Sequence, residues 1–76
     1  MEWKLGKLIK NRNYKLWGVN IFDCPWTDTG ETVLLKDYTD GIRKDFKIYS
    51  VDVEGEAHCF AAMERGADTW LFFVGT

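Results

Sequence analysis

The sequence contains one proline, only two cysteines, and no unbroken apolar run long enough to cross a bilayer. Each shortage excludes something. Two cysteines cannot build a disulfide scaffold. A membrane-spanning helix needs about 18 apolar residues or more in succession, and none is present. No basic-then-apolar leader with a small-residue cleavage site opens the chain, so the expectation is a soluble, cytoplasmic protein without a membrane partner. The seven glycines are scattered and form no phosphate-binding loop. Excess charge is lacking too, because ten Lys and Arg face twelve Asp and Glu for a net charge of -2. That balance weighs against a DNA-binding chain. Apolar character, in contrast, is plentiful: 46% of the residues are hydrophobic and 16% aromatic, with four tryptophans. Such a load is incompatible with disorder. A chain of 76 residues buries only roughly 60–65% of the surface it exposes when unfolded, so its core is thin. Residues 1–76 read as one small domain.

Charge is unevenly placed along the chain. Lys4, Lys7, Lys10, Arg12 and Lys15 stand against Glu2 alone in the first 17 residues. Asp23, Asp28, Glu31, Asp37 and Asp40 then stand against Lys36. The two blocks either cancel within the molecule or leave a basic segment for an acidic partner.

Strand-like runs dominate the pattern. Residues 2–10 fit a strand through Trp3, Leu5 and Ile9, or a helical stripe through Leu5, Leu8 and Ile9 that Gly6 would weaken. Asn11–Asn13 reads as a turn, and 14–22 as a strand rich in aromatic and β-branched residues, making a first hairpin with 2–10. Residues 23–31 hold Pro25 and Gly30 and read as a loop. A short strand follows over 32–36, then a polar connection over 37–45. Runs 46–53, 56–63 and 67–74, separated by Glu54-Gly55 and Arg65-Gly66, predict an antiparallel meander. The sum is an all-β fold of about six short strands, a small antiparallel barrel or sandwich of SH3-like size. That comparison concerns architecture and carries no function.

The meander register decides which side chains share a face. A two-residue type I′ turn would place Glu54 and Arg65 at positive φ, where Asn, Asp or Gly is preferred. A three-residue turn with a left-handed Gly55 or Gly66 and a bulge avoids this, and predicts Asp52 opposite Glu56 and Met63 opposite Ala67. One face then holds Tyr49, Val51, Val53, Ala57, Cys59, Ala61, Met63, Leu71 and Phe73. The other carries Phe60, Trp70 and Phe72 among Ser50, Asp52, Glu56 and His58. An aromatic patch with a polar rim marks an interaction surface, unless the first hairpin folds over it.

His58 is the only histidine. In this register it lies across from Ser50 with Asp52 on the diagonal, the residue types of a nucleophile, base and orienting acid. No oxyanion hole and no nucleophile-elbow glycines accompany them, so no catalytic residue is assigned. Cys24, His58 and Cys59 supply at most three soft ligands, and neighbours on a strand point to opposite faces, so no metal site is assigned. Cys59 reads as a small core residue and Cys24 as a thiol in or under a loop, and a bond between them would need an oxidising compartment. Asp23, Asp28 and Glu31 lack the calcium-loop spacing. Trp26 is either a lid on the core or a contact residue.

These readings converge on a small interaction module that needs no cofactor. It would form a homodimer or dock a protein through Phe60, Trp70, Phe72, His58 and Trp26. Lys4, Lys7, Lys10, Arg12 and Lys15 would be available to an acidic partner. The alternative is a small β-barrel that binds nucleic acid, with the basic segment on phosphates and the aromatics on bases.

Overall fold

A computed structural model describes residues 2–4 and 6–76. The fold is all-β. Among the described residues seven strands form in chain order: β1 (Lys7–Lys10), β2 (Lys15–Leu16), β3 (Val19–Asn20), β4 (Trp26–Asp37), β5 (Ile42–Val53), β6 (Glu56–Glu64) and β7 (Thr69–Val74), with one 3-10 turn at Ile21–Asp23. Five of them make an antiparallel sheet in the order β1-β7-β6-β5-β4, while β2 and β3 form a separate small hairpin. The sheet stays open and does not close into a barrel. Strands β5, β6 and β7 are the expected meander. Leu5, on which both readings of 2–10 drew, lies outside the described residues.

The first hairpin differs from expectation. β1 pairs with β7, with Leu8 opposite Leu71 and Ile9 opposite Trp70. Residues 14–22 instead fold on themselves. Asn11 and Arg12 adopt positive φ (59° and 50°) and turn the chain out of the sheet. Trp17 and Gly18, at φ 54° and 78°, then make a tight turn that breaks the run. Asn20 holds this excursion together: its Oδ1 accepts from Tyr14 N and Phe22 N, and its Nδ2 donates to Arg12 O. Gly6 explains why β1 can lie against β7, since a Cβ there would stand 2.5 Å from the Phe72 carbonyl oxygen. The outer ends of the chain are also paired. Glu2 N donates to Thr76 O (3.0 Å) and Thr76 N to Glu2 O (2.9 Å).

The expected loop over 23–31 is largely strand. β4 begins at Trp26 and absorbs Gly30 in a bulge, where the register with β5 shifts between Asp28 and Thr32. Gly30 takes φ 79°, and Thr29 Oγ1 donates to Ile48 O across the bulge (2.7 Å).

The meander register is also corrected. Val53 faces Glu56 and Val51 faces His58, so Glu54-Gly55 is a two-residue turn. Glu54 takes φ 51° and Gly55 φ 82°, and Asp52 Oδ1 accepts from Gly55 N. The second hairpin does have a three-residue loop, Gly66–Asp68, but it sits further along the chain. Arg65 N donates to Thr69 O, and Met63 faces Leu71. Magnitudes explain the choice. A left-handed Glu54 costs about 1–2 kcal/mol. The observed register unites Val51, Val53, Phe60 and Phe72 in one layer, and burying each such side chain contributes about 1.5–3 kcal/mol.

Residues opposite each other share a face. The front face carries Tyr49, Val51, Val53, His58, Phe60, Ala62, Trp70 and Phe72. Segment 14–24 covers it with Tyr14, Leu16, Val19, Ile21 and Phe22. The back face buries Phe46, Ala61, Leu71 and Phe73 beneath Trp3, Val33, Leu35 and Met63. β5 pairs with β4 out to Asp37–Ile42 but with β6 only from Lys47 onward, so the distal half of the β4–β5 hairpin parts from the sheet. Asp37, at its tip, bonds Arg65 after the end of β6 and ties the two hairpins together.

Candidate interaction surface

The front face places the expected interface residues in two groups. Phe60 and Phe72 are 1% exposed, sealed beneath segment 14–24. Their assignment to an open face is therefore corrected: the first ordered excursion of the chain covers them. Trp70 and Trp26 remain half-buried at the rim of this layer. Their rings meet at 5.7 Å, Phe22 packs on Trp26 at 5.3 Å, and Tyr49 lies 5.3 Å from Trp26 on the other side. Such contacts stiffen the rim, each contributing about 0.5–1.5 kcal/mol beyond simple burial. Trp26 Nε1 donates to Ile21 O at 2.7 Å, so this tryptophan both roofs the core and edges the surface. Trp70 Nε1 is buried without an acceptor among the described residues.

Two hollows flank Trp70. One, of about 330 Å³, has Ala62 as its small floor residue, with Tyr49 and Trp70 as aromatic walls and Asp45, Lys47 and Glu64 among its lining residues. It lies where β5 leaves β6. The other, of about 250 Å³, is lined by Arg12, Phe22, Cys24, Trp26 and Trp70. The basic segment therefore adjoins the aromatic rim through Arg12. Among the described residues Arg12 is also the one member of that segment in an ion pair, with Asp68 at 3.2 Å. Both partners are exposed, so this pair is worth at most about 1 kcal/mol. Lys4, Lys7, Lys10 and Lys15 are exposed.

The acidic block is not neutralised by the basic one. Asp28 lies 3.8 Å from Lys47, Asp40 2.6 Å from Lys44, and Asp37 bonds both Lys44 (2.9 Å) and Arg65. Asp37 is fully buried. Burial pushes its carboxyl up, but bonds from Thr39, Lys44 and Arg65 outweigh this and hold it well below the usual carboxylate range. Bonds from Lys44 and the Ile42 amide lower Asp40, and Asp40 and Asp37 together raise Lys44.

The His58, Ser50 and Asp52 constellation comes apart. Ser50 faces Cys59 and Asp52 faces Ala57, on the back of the sheet, while His58 is on the front. The one-residue difference in register moved every side chain across. His58 instead lies under Trp17, ring centroids 5.0 Å apart and edge-to-face, with its Nε2 buried and without a protein partner. Trp17 is 61% exposed at the β2–β3 tip. Sequence reasoning passed over it because it sat inside a presumed strand, although Trp-Gly between short apolar pairs was a turn signal. Cys24 packs on the front cluster and Cys59 pairs on the back, both as free thiols. Among the described residues no group of three or more His, Cys, Asp or Glu could hold a metal ion, and no helix is long and apolar enough to cross a membrane.

Compared with protein-family models, curated proteins and solved structures, the chain matches none.

Proposed function

We propose that the chain is an interaction module that pairs with a second copy of itself through the front-face surface around Trp70. The observation that carries this reading is the aromatic ridge of Trp26 and Trp70 with a hollow on each side. Large aromatics beside pockets are the side chains that most often anchor interfaces. A two-fold arrangement lets one such surface cover itself. The anchors differ from those expected of the bare sheet, because Phe60 and Phe72 already serve the core.

Sedimentation velocity from micromolar to millimolar concentration tests the reading. The wild type is expected to dimerise, and Trp70→Ala to weaken the dimer by at least about tenfold while circular dichroism stays β-rich. A wild type that remains monomeric throughout overturns it.

One observation favours a second reading. Arg12 lines the same hollow as Trp26 and Trp70, the pairing of cation and stacking surface used on single-stranded nucleic acid. Titration with single-stranded oligonucleotides at low salt separates the two. Micromolar binding that collapses as salt is added would replace the self-association reading.

A further inference from the structure

Trp17 is badly placed for a residue with no task. It occupies the first position of a tight two-residue turn at φ 54°, where Asn, Asp or Gly fits and a bulky side chain is strained. Among the described residues it is the most exposed of the large hydrophobic side chains, at 61%. Its edge-to-face contact with His58 holds the indole against the front of the sheet without burying it. Glycine at this turn would remove the strain, so local backbone preference does not account for the tryptophan.

The hollow over Ala62 is its complement. It opens on the same front face, since Ala62 and His58 alternate in phase along β6. They stand four positions apart, roughly 13 Å at the rise of a strand. Its volume of about 330 Å³ is at the small end for a binding pocket, suited to one aromatic side chain. The charges match as well. Asp45 and Glu64 stand at the hollow, and the one cation there, Lys47, leans toward Asp28 at 3.8 Å. Lys15, two residues before Trp17, is exposed.

We infer that Trp17 of one copy seats in the Ala62 hollow of a second copy, with Lys15 facing Asp45 and Glu64, and that a two-fold axis makes this contact twice. This rests on the self-association proposed above and names its contact. Knob and hole lie on one face of each copy, which lets a two-fold exchange be reciprocal and close at two chains. The exposed indoles leave water together, and Trp70, a wall of the hollow, becomes part of the buried ridge.

Two variants test the contact by different routes. Trp17→Gly relieves the turn, so the monomer is expected to melt at the same temperature or higher, while sedimentation shows a dimer at least about tenfold weaker. Lys15→Glu and Glu64→Lys each place like charges together and weaken the dimer, and the two combined restore it. If the wild type dimerises but Trp17→Gly leaves its affinity unchanged and the charge exchange restores nothing, this contact is wrong and self-association stands on another surface. If the wild type is monomeric at millimolar concentration, both fall.

Discussion

Asp37 is the residue on which most of the electrostatics converge. Its carboxylate is fully buried and receives the Thr39 amide (3.0 Å), the Thr39 hydroxyl (2.5 Å), Lys44 and Arg65. Asp37→Asn keeps the shape but removes the charge that these donors answer. The expected loss is about 2 kcal/mol at neutral pH, measured by urea unfolding. The sign of the pH dependence follows from the depressed folded value. The stabilisation is present above the unfolded carboxyl range and is lost as pH falls through the folded one, so the gap between mutant and wild type narrows only below about pH 4. Lys44 behaves in the mirror sense. Its raised value keeps its contribution intact below the ordinary lysine range and loses it as pH rises past the folded value. The charge knot is thus whole across neutral pH and is not a physiological switch.

At the scale of the element, β1 depends on a residue without a side chain. Gly6 lets the chain pass so near the Phe72 carbonyl that a Cβ there would stand 2.5 Å from its oxygen and 3.2 Å from the Phe73 ring, and one strand would have to shift. Gly6→Ala is expected to destabilise by about 1–3 kcal/mol, with amide exchange in Lys7–Lys10 rising more than in the meander. The sequence made the meander legible because its strands alternate and its turns carry Gly55 and Gly66, both of which have positive φ (82° and 133°). The turn type was not legible from propensity alone. Glu54 accepts an unfavourable backbone because Val51, Val53, Phe60 and Phe72 gain a common layer, a tertiary consideration that outweighs local preference. β1 was misassigned for a related reason: its partner, β7, lies some sixty positions away, whereas the pattern around Asn11–Asn13 pointed to a neighbour. Trp26 and Trp70 could be singled out from the sequence as candidate contact residues. Their meeting could not, because it depends on segment 14–24 occupying the centre of the face.

For the whole molecule, opposite blocks in sequence do not become opposite partners in space. Asp28, Asp37 and Asp40 of the acidic block are answered by Lys44 and Lys47 of β5 and by Arg65 beyond the end of β6. The bond between Asp37 and Arg65 spans 28 positions, which no local pattern reveals. What this leaves on the surface is a basic border along β1 and β2, beside the ridge of Trp26 and Trp70. A partner that approaches the ridge meets cations on that flank and carboxylates at the Ala62 hollow. That asymmetry fixes the orientation of anything that binds, more than it adds to affinity.

The reciprocal bonds between Glu2 and Thr76 bring residues 2–76 close to a ring. Bringing Glu2 and Thr76 together is the longest-range closure among the described residues. Sealing the ring with a short glycine linker would remove that closure from the unfolded chain, a gain of up to roughly 4 kcal/mol. The backbone-cyclised protein is expected to fold faster and to show a higher urea midpoint at an unchanged front-face aromatic signature. A cyclised chain no more stable than the linear one would mean that the ends already separate in the native state, and that β1 is held by Ile9 and Leu8 rather than by the pairing beyond them.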